Sequence, residues 1–307
     1  MKRLLWTVCL LGIAAGCSDD SESDGTAGRA AARSVAVELS CRNRLFTENG
    51  SQPLLLPVEG TSMRFVVDAV PAAGYGVAAR AETIAATDAA TLHLDLPAGT
   101  YTLLAWVDYL PENRSAGYYD ITSLSSVFYD APYEANTPYR DVFCGTAELA
   151  ADSSTAKIVA ERPAARCEVV ATDLAEFLAR NPGADTQKLN VRVAYRGYLP
   201  YGYNVRTGKP NVVRENVTTE VRPVVAGDGD LLLLSDPVFV GADASFVLVD
   251  LTVTDAANKV VSAVKNLKIN YERDKITTVS GKFLTAGSSS SVEIDSGYTG
   301  DFTIDFD

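Results

Sequence analysis

The sequence predicts an all-β protein in which two β-sandwiches follow one another along the chain. Three observations support this fold class. From residue 35 onward, apolar and polar side chains alternate mostly with a period of two, the spacing of strands with one buried face. The alternating segments are short and separated by turn residues, and one stretch alone has convincing helical periodicity. Short strands joined by turns, with little helix, are typical of sandwiches and barrels.

The first half of the chain is predicted to form one sandwich. Its predicted strands cover 34–40, 63–70, 91–96, 100–109, 141–150 and 154–163. Pro97, Ala98 and Gly99 form a tight turn between the strands on either side, so those two strands should pair as a hairpin. Residues 110–140 are rich in tyrosine, serine, asparagine and proline and are predicted to form an excursion outside the sheets.

The second half begins near residue 163. Its predicted strands cover 165–173, 188–198, 216–225, 244–255, 260–271 and 275–285. Residues 173–183 form the one predicted helix, because Leu174, Phe177 and Leu178 lie on one face and an Asn-Pro-Gly sequence ends it.

The C-terminal end carries an amphipathic strand after a run of serines. Phe302, Ile304 and Phe306 alternate with Thr303 and Asp305. An extended segment of this kind can pair within its own domain or complete the open sheet edge of a neighbouring subunit. We favour pairing within its own domain, and we keep the three apolar residues as candidate donor-strand residues.

The N-terminus has the three parts of a bacterial secretory signal. Lys2 and Arg3 give the positive start, a short apolar stretch follows, and small residues precede Cys17. This arrangement resembles the lipobox of bacterial lipoproteins, although Ala14 stands where leucine is usual. The resemblance implies that residues 1–16 are removed and that Cys17 is acylated.

An acidic run, SDDSESD, follows Cys17 directly. A serine-rich acidic segment with few apolar side chains cannot bury enough surface to fold, so residues 17–33 are predicted to be a solvated tether. The run also resembles the export signal of lipoproteins on the outer face of the outer membrane. We therefore expect a surface-exposed protein, lipid-anchored in the outer membrane, with sandwich domains at 34–163 and 164–307.

Composition argues against several kinds of function. The chain has 39 acidic and 27 basic residues, a formal charge of -12, which repels phosphate backbones and argues against nucleic-acid binding. The single histidine, His93, is expected on the outer face of a strand, and one histidine excludes a multi-histidine metal site. The sequence has neither a glycine-rich phosphate loop nor a nucleophile elbow. We expect no enzymatic activity, no cofactor and no metal.

Three further features have ordinary structural explanations. Asp68 and Asp108 are acids that a glycosidase would need, but both are expected to be solvated outward side chains of strands. Residues 226–231, AGDGDL, contain calcium-type ligands, and a tight turn needs the same residues. Cys9 lies in the segment that is predicted to be removed, and Cys17 is the predicted acylation site. The remaining cysteines match no zinc spacing, and buried thiols are favoured over a disulfide. They are Cys41, Cys144 and Cys167.

The tyrosines of the excursion form a candidate recognition surface for a host or glycan ligand, because tyrosine offers a large contact area at low entropic cost. They are Tyr118, Tyr119, Tyr129, Tyr133 and Tyr139. A loop packed down on the first sandwich explains the same residues equally well.

The ordered set of segments resembles the fimbrillin-like family, the subunits and anchors of type V pili. In the first half the resemblance is carried by RFVVDAVP, LDLPAGTYTLLAWVDY and YRDVFCGTAELA. In the second half it is carried by RPAARCEVVATD, VRVAYRGYLPYGYNVRTGKPN and NLKINYERDKITTVSGKFLT. It implies two transthyretin-like β-sandwich domains, lipoprotein export, other fimbrial subunits as partners, and assembly by strand exchange. The similarity is greatest to anchor or accessory subunits.

Shaft subunits of that family are trimmed by an arginine-specific protease that removes their first strand. Arg29 and Arg33 precede the strand at 34–40 and are candidate processing sites, whereas in anchors the cut is absent and the lipid stays attached. Basic residues without any processing role are the alternative. The sequence thus predicts a fimbrial anchor, accessory or tip subunit that assembles by β-strand complementation, and the alternative is a surface lipoprotein that binds a glycan or host ligand.

Overall fold

A computed structural model describes residues 32–42, 60–112, 117–130, 132–225, 229–241, 244–285, 290–291 and 302–304. Cys17, Arg29 and Phe306 lie outside the described residues. Residues 32–307 belong to one compact unit. The all-β prediction is confirmed, because the described residues form mostly strands together with one short α-helix.

The strands occur in the following order along the chain. They are β1 (Arg33–Cys41), β2 (Thr61–Pro71), β3 (Ala79–Ala85), β4 (Ala89–Leu96), β5 (Tyr101–Pro111), β6 (Tyr119–Asp120), β7 (Val127–Tyr129), β8 (Val142–Leu149), β9 (Thr155–Ala160), β10 (Ala164–Ala171), β11 (Asn190–Arg196), β12 (Tyr198–Asn204), β13 (Lys209–Glu215), β14 (Thr218–Val221), β15 (Val224–Val225), β16 (Leu231–Phe239), β17 (Ala244–Thr254), β18 (Val260–Glu272), β19 (Ile276–Gly281), β20 (Ser290–Ser291) and β21 (Phe302–Ile304). The helix α1 spans Leu174–Arg180, and 3-10 helices span Pro138–Arg140 and Thr186–Lys188.

The first sandwich consists of a sheet with the order β4-β1-β9 and a sheet with the order β3-β2-β5-β8. β1 lies in the middle of its sheet, antiparallel to β4 and parallel to β9. Its alternating residues Val35, Val37 and Leu39 are buried and pack against the facing sheet, which contributes Phe65 and Val107 to the same core. The period of two therefore produces the inner face that it predicts.

The predicted hairpin across Pro97, Ala98 and Gly99 is wrong. β4 pairs with β1, whereas β5 pairs with β2 and β8 in the other sheet, so this turn carries the chain across the core. The physical reason lies in burial. β4 has one exposed face and suits an outer sheet, whereas most of β5 is buried on both faces, as befits an inner strand covered on both sides.

The second sandwich consists of a sheet with the order β15-β16-β10-β19-β21 and a sheet with the order β14-β11-β17-β18-β20. Its core is formed by buried aliphatic residues of both sheets, and α1 adds Leu174 and Phe177 to it. Leu178 packs partly buried against the same core, so the predicted helix and its apolar face are confirmed. The predicted strand at 216–225 is instead divided into β14 and β15, because Arg222 and Pro223 interrupt it.

A fifth sheet joins the two halves of the chain, in the order β13-β12-β7-β6. Phe128 of β7 pairs with Gly202 of β12, and Val127 pairs with Tyr203. The prediction that residues 110–140 lie outside the sheets is therefore wrong. We name this the bridging sheet, because β6 and β7 come from the first half of the chain and β12 and β13 from the second.

Gly202 permits this pairing. A Cβ atom at position 202 would lie 2.6 Å from the carbonyl oxygen of Val127 and 2.9 Å from the Cβ atom of Val212. Both distances are shorter than a carbon atom tolerates, and one of them is to the backbone. A side chain at this position must therefore push β7 away from β12.

We expect Gly202→Ala to lower the free energy of unfolding by about 1–3 kcal/mol, because the added methyl group overpacks the bridging sheet. The matched control is Gly183→Ala, since a Cβ atom there meets nothing within 4 Å. Urea denaturation of both variants checks the prediction. Equal stability of the two variants would contradict it.

Candidate functional site

The start of β1 is fixed by Arg33. Its Nη2 atom donates hydrogen bonds to the carbonyl oxygens of Gly99, at 3.1 Å, and Ala150, at 2.8 Å. Because Arg33 is the first residue of β1, a cut after Arg29 or after Arg33 would leave the rest of the strand in its sheet. Such a cut would separate the sandwich from Cys17 and would not remove β1.

The candidate donor strand lies at a sheet edge. Residues 302–304 of β21 pair in parallel with β19, with Phe302 opposite Val279 and Ile304 opposite Gly281. This is the pairing with its own half of the chain that the sequence analysis favoured. In the opposite sheet, the outer edge of the long strand β18 pairs with β20 only at Val264 and Lys265. Both edges on this side of the second sandwich are thus covered by very short strands in the described part of the chain.

Three of the candidate recognition tyrosines are buried. Tyr118, Tyr119 and Tyr129 belong to a cluster that also contains Trp106 of β5 and Tyr203 of β12. Tyr133 and Tyr139 are half-buried and pack against the same cluster. The alternative explanation, a segment packed onto the first sandwich, describes these rings, and the packing continues onto the second half of the chain.

A buried ion pair stands at the centre of this packing. The guanidinium of Arg140 donates to the carboxylate of Asp236 on β16, and both side chains are almost fully buried. The hydroxyls of Tyr133 and Tyr195 donate to the same carboxylate. The guanidinium carbon of Arg140 also lies 4.1 Å from the centre of the Tyr133 ring and 4.6 Å from that of Tyr129.

The pair joins the tyrosine excursion to the second sandwich. Burial raises the pKa of the Asp236 carboxyl above its ordinary value, and Arg140 and the two tyrosine hydroxyls act in the opposite direction. A buried charge is costly without partners, whereas this carboxylate accepts hydrogen bonds from three side chains. Separating the excursion from β16 would therefore leave the buried charges of Arg140 and Asp236 without their partners.

A second buried pair lies where the chain passes between the halves. Arg162 donates from Nε to both carboxylate oxygens of Asp141, at 2.8 and 2.9 Å, and stacks over the ring of Phe143. Its Nη1 atom lies 3.5 Å from a carboxylate oxygen of Asp274 in the β18–β19 turn. Arg273 in the same turn donates to the hydroxyl of Tyr203. Arg162, which lies where the chain passes from the first half to the second, thus contacts residues of both halves.

The expectation that Asp68 and Asp108 are solvated is wrong. Both side chains are buried, because the tyrosine excursion covers the outer face of β2 and β5. Asp108 accepts hydrogen bonds from Arg64 at 2.6 and 2.8 Å, and Asp68 lies 3.4 Å from Arg80. Burial raises the pKa of both carboxyls. Each acid faces its own arginine, which is the arrangement of structural ion pairs.

The remaining candidate residues have simple environments. His93 is exposed on the outer face of β4, as predicted. The thiols of Cys41, Cys144 and Cys167 are free, and burial raises the pKa of the first two to about 12. Within the described ranges no cluster of potential metal ligands occurs, and part of the AGDGDL segment lies outside them.

Sequence reasoning missed the charged residues that hold the interior together. Arg140 and Asp141 stand in PYRDVF, and Asp236 stands in LLLLSDPVFV. A single acid inside a long apolar run was the available signal, because such a residue must be buried with its strand and needs a cation.

The fold and these sites define an all-β protein whose two sandwiches are joined by a shared sheet and buried ion pairs, with a short strand at one edge. No helix in the described ranges has the length and apolarity needed to cross a bilayer. The chain belongs to a family of unknown function, DUF6562, whose profile matches residues 30–307.

The solved structures that match the chain share little sequence with it. The fimbrial anchor protein Mfa2 from Porphyromonas gingivalis is 16% identical, with a TM-score of 0.42, over 77% of this chain and 82% of that one. A candidate cell adhesion protein from Bacteroides ovatus is 13% identical, with a TM-score of 0.48, over 88% and 100%. One from Bacteroides eggerthii is 10% identical, with a TM-score of 0.44, over 89% and 94%. No curated protein matches the chain.

We expect Arg140→Met to lower the free energy of unfolding by about 3–5 kcal/mol, because it leaves the Asp236 carboxylate buried without a cation. Adding Asp236→Leu should recover part of the loss, since the stranded charge is removed while the two tyrosine hydroxyls lose their acceptor.

The control for these two variants is Arg180→Met, which breaks the exposed pair between Arg180 and Glu176. It should change the free energy of unfolding by about 0.3–0.5 kcal/mol. Chemical denaturation of the four proteins checks the prediction. A loss for Arg140→Met no larger than that for Arg180→Met would refute it.

Proposed function

We propose that this protein is a cell-surface lipoprotein that serves as an anchor, accessory or tip subunit of a fimbrium. It is held in the outer membrane through acyl chains on Cys17, and it joins neighbouring subunits by β-strand complementation. Its role is structural rather than catalytic. The observation that carries the proposal is the edge of the second sandwich, where a strand of three residues, β21, covers β19.

The membrane attachment is supported by the sequence around Cys17. Each buried methylene of an acyl chain contributes about 0.8 kcal/mol, so several chains on one cysteine hold a protein almost irreversibly. The acidic run after Cys17 would keep the folded body away from the membrane, because it has little apolar surface to bury.

The joint between subunits is supported by the length of the covering strand. β21 pairs with three residues of β19, whereas the other side of β19 pairs with six residues of β10. Each backbone hydrogen bond contributes about 0.5–1.5 kcal/mol net, so a longer strand from a neighbour would displace β21 with a gain in pairing. The released β21 could in turn pair with an edge of the next subunit.

The body between the two attachment points is suited to bear load. The tether enters at β1 in the first sandwich, and β21 lies in the second. The bridging sheet and the ion pair between Arg140 and Asp236 connect the two halves. A pull applied between Cys17 and β21 must therefore pass through hydrogen-bonded and ionic contacts, in addition to the single chain crossing near Arg162.

The intact mass of the protein from native membranes tests the attachment. We expect the mass of a chain that begins at Cys17 and carries acyl groups. Cys17→Ser should release the protein from the membrane fraction, with Cys41→Ser as the control that leaves attachment unchanged. An unlipidated chain in native membranes would overturn the proposal, and a chain that begins after Arg29 or Arg33 would exclude an anchor.

Incorporation into filaments tests the joint. The double variant Phe302→Ser and Ile304→Ser should remain lipidated and folded but disappear from purified filaments, because it weakens the candidate donor strand. Thr303→Ser, between the two positions, is the matched control. Filaments that contain the double variant at the normal level would argue against strand complementation through β21.

A further inference from the structure

Three turns meet at the end of the first sandwich where β1 begins. Arg33, the first residue of β1, donates to the carbonyl oxygens of Gly99 and Ala150, so the β4–β5 and β8–β9 turns lie beside it. The β2–β3 turn joins them, because the N–H group of Ala72 donates to the carbonyl oxygen of Thr100. We name these turns the entry end, because the N-terminal segment enters the sandwich here, and they comprise residues 72–78, 97–100 and 150–154.

The entry end carries very little charge. Its sequences are AAGYGVA, PAGT and AADSS, in which Asp152 is the one charged residue, whereas 21% of the whole chain is charged. The formal charge of the chain is -12, so an anionic surface repels the molecule as a whole. A surface with so few charges loses little hydration when it contacts apolar or interfacial groups. The entry end is therefore suited to approach a surface that the rest of the molecule avoids.

The longest of the three turns holds an aromatic ring out into the solvent. Tyr75 is 95% exposed and Val77 is 48% exposed, and glycines stand on both sides of the tyrosine. Exposed alanines precede and follow them, at positions 72, 73 and 78. The β2–β3 turn is thus a projecting apolar tip rather than the wall of a pocket, and adjoining exposed apolar groups mark a contact surface.

Arg206, from the second half of the chain, fixes this tip. Its Nη1 atom donates to the carbonyl oxygen of Gly74 at 3.1 Å, and its guanidinium carbon lies 5.5 Å from the centre of the Tyr75 ring. Arg206 lies in the β12–β13 turn, and Lys209 is exposed where β13 begins. Among the described residues, neither cation forms an ion pair with a carboxylate. The tip therefore combines an ordered aromatic ring with two cations that lack an anionic partner.

We propose that the entry end rests on the surface of a lipid bilayer, with Tyr75 and Val77 at the headgroup boundary and Arg206 and Lys209 beside headgroup phosphates. Tyrosine is enriched at this boundary because its ring is apolar and its hydroxyl stays hydrated. Cations close to an anionic leaflet are attracted to it. A projecting tip can enter the headgroup layer, whereas small ligands are bound in concave sites.

The position of the tip agrees with lipid attachment at Cys17, and in this respect the inference rests on the proposed function. Residues 18–32 separate Cys17 from Arg33, and fifteen residues span at most roughly 50 Å. A lipid on Cys17 therefore holds the entry end within that distance of the bilayer. Contact through the tip fixes which way the folded body faces, which the connecting segment alone does not do.

Fluorescence quenching tests the contact on the mature chain, coupled through the thiol of Cys17 to a maleimide-bearing lipid in vesicles. Burial raises the pKa of the other thiols, to about 12 in Cys41 and Cys144, so at neutral pH Cys17 is the thiol that reacts. Because Trp6 precedes Cys17, the mature chain has one tryptophan, the buried Trp106. A tryptophan placed at the tip is therefore observed against a constant background.

We expect the added emission of Tyr75→Trp to be quenched about twofold or more by brominated acyl chains, because the ring lies at the headgroup boundary. Tyr198→Trp is the matched control, since Tyr198 is 68% exposed at the end of β12 opposite to Arg206, and its emission should not change. Absence of quenching in Tyr75→Trp, or equal quenching in both variants, would overturn the proposal. A blue shift of the Tyr75→Trp emission with protein concentration, without vesicles, would instead assign the tip to contacts between copies of this chain.

The charge of the lipid tests the cations. In the Tyr75→Trp protein, Lys209→Glu should reduce the quenching about twofold in vesicles that contain phosphatidylglycerol and leave it unchanged in phosphatidylcholine vesicles. Arg192→Glu is the control, because Arg192 is an exposed cation of the second sandwich. The same loss in both kinds of vesicle would refute the headgroup contact. A quenched tip in a protein that carries no acyl chains in native membranes would refute the proposed attachment alone, whereas an unquenched tip in an acylated protein would refute this inference alone.

Discussion

The ion pair between Arg140 and Asp236 is the constraint on which the rest of the architecture depends. Arg140 belongs to the tyrosine excursion and Asp236 to the second sandwich, and both side chains are almost fully buried. If the halves moved apart, both charges would lose their partner. The hydrogen bonds that the Asp236 carboxylate accepts from the hydroxyls of Tyr133 and Tyr195 would be disturbed as well. The excursion is therefore held as part of the interior, and the bridging sheet forms along it.

This arrangement explains why the first sandwich has a strand buried on both faces. One face of β5 packs into the first core, through Val107, and the other packs under the tyrosines, through Trp106. The centres of the Trp106 and Tyr119 rings lie 5.4 Å apart, in an edge-to-face arrangement. Asp108 lies on the same covered face, which is why it needs Arg64. A segment that looks like a surface loop in the sequence serves as a second hydrophobic layer.

The sequence predicted those elements whose pattern is local. β1 and β4 alternate strictly, and the helix has an apolar face at Leu174 and Phe177. It did not predict β16, because LLLLSDPVF has no alternation, nor β12, whose glycine and proline are typical of turns. Arg140 and Asp236, which pair with each other, are far apart in sequence. Pairing over such a distance leaves no periodic signal in the sequence. The predicted hairpin across Pro97 was wrong for the same reason. Which strand β5 pairs with depends on the strands of the other sheet, which are distant in sequence.

The position of β1 has a consequence for the order in which the protein folds. β1 is made first, but its parallel partner β9 consists of residues 155–160, so half of the chain must be synthesised before the sheet can close. Parallel pairing between distant segments is slow, because the loop entropy is lost before any contact forms. The first sandwich can therefore be completed only after β9 has been made, although β1 and β4 can pair earlier.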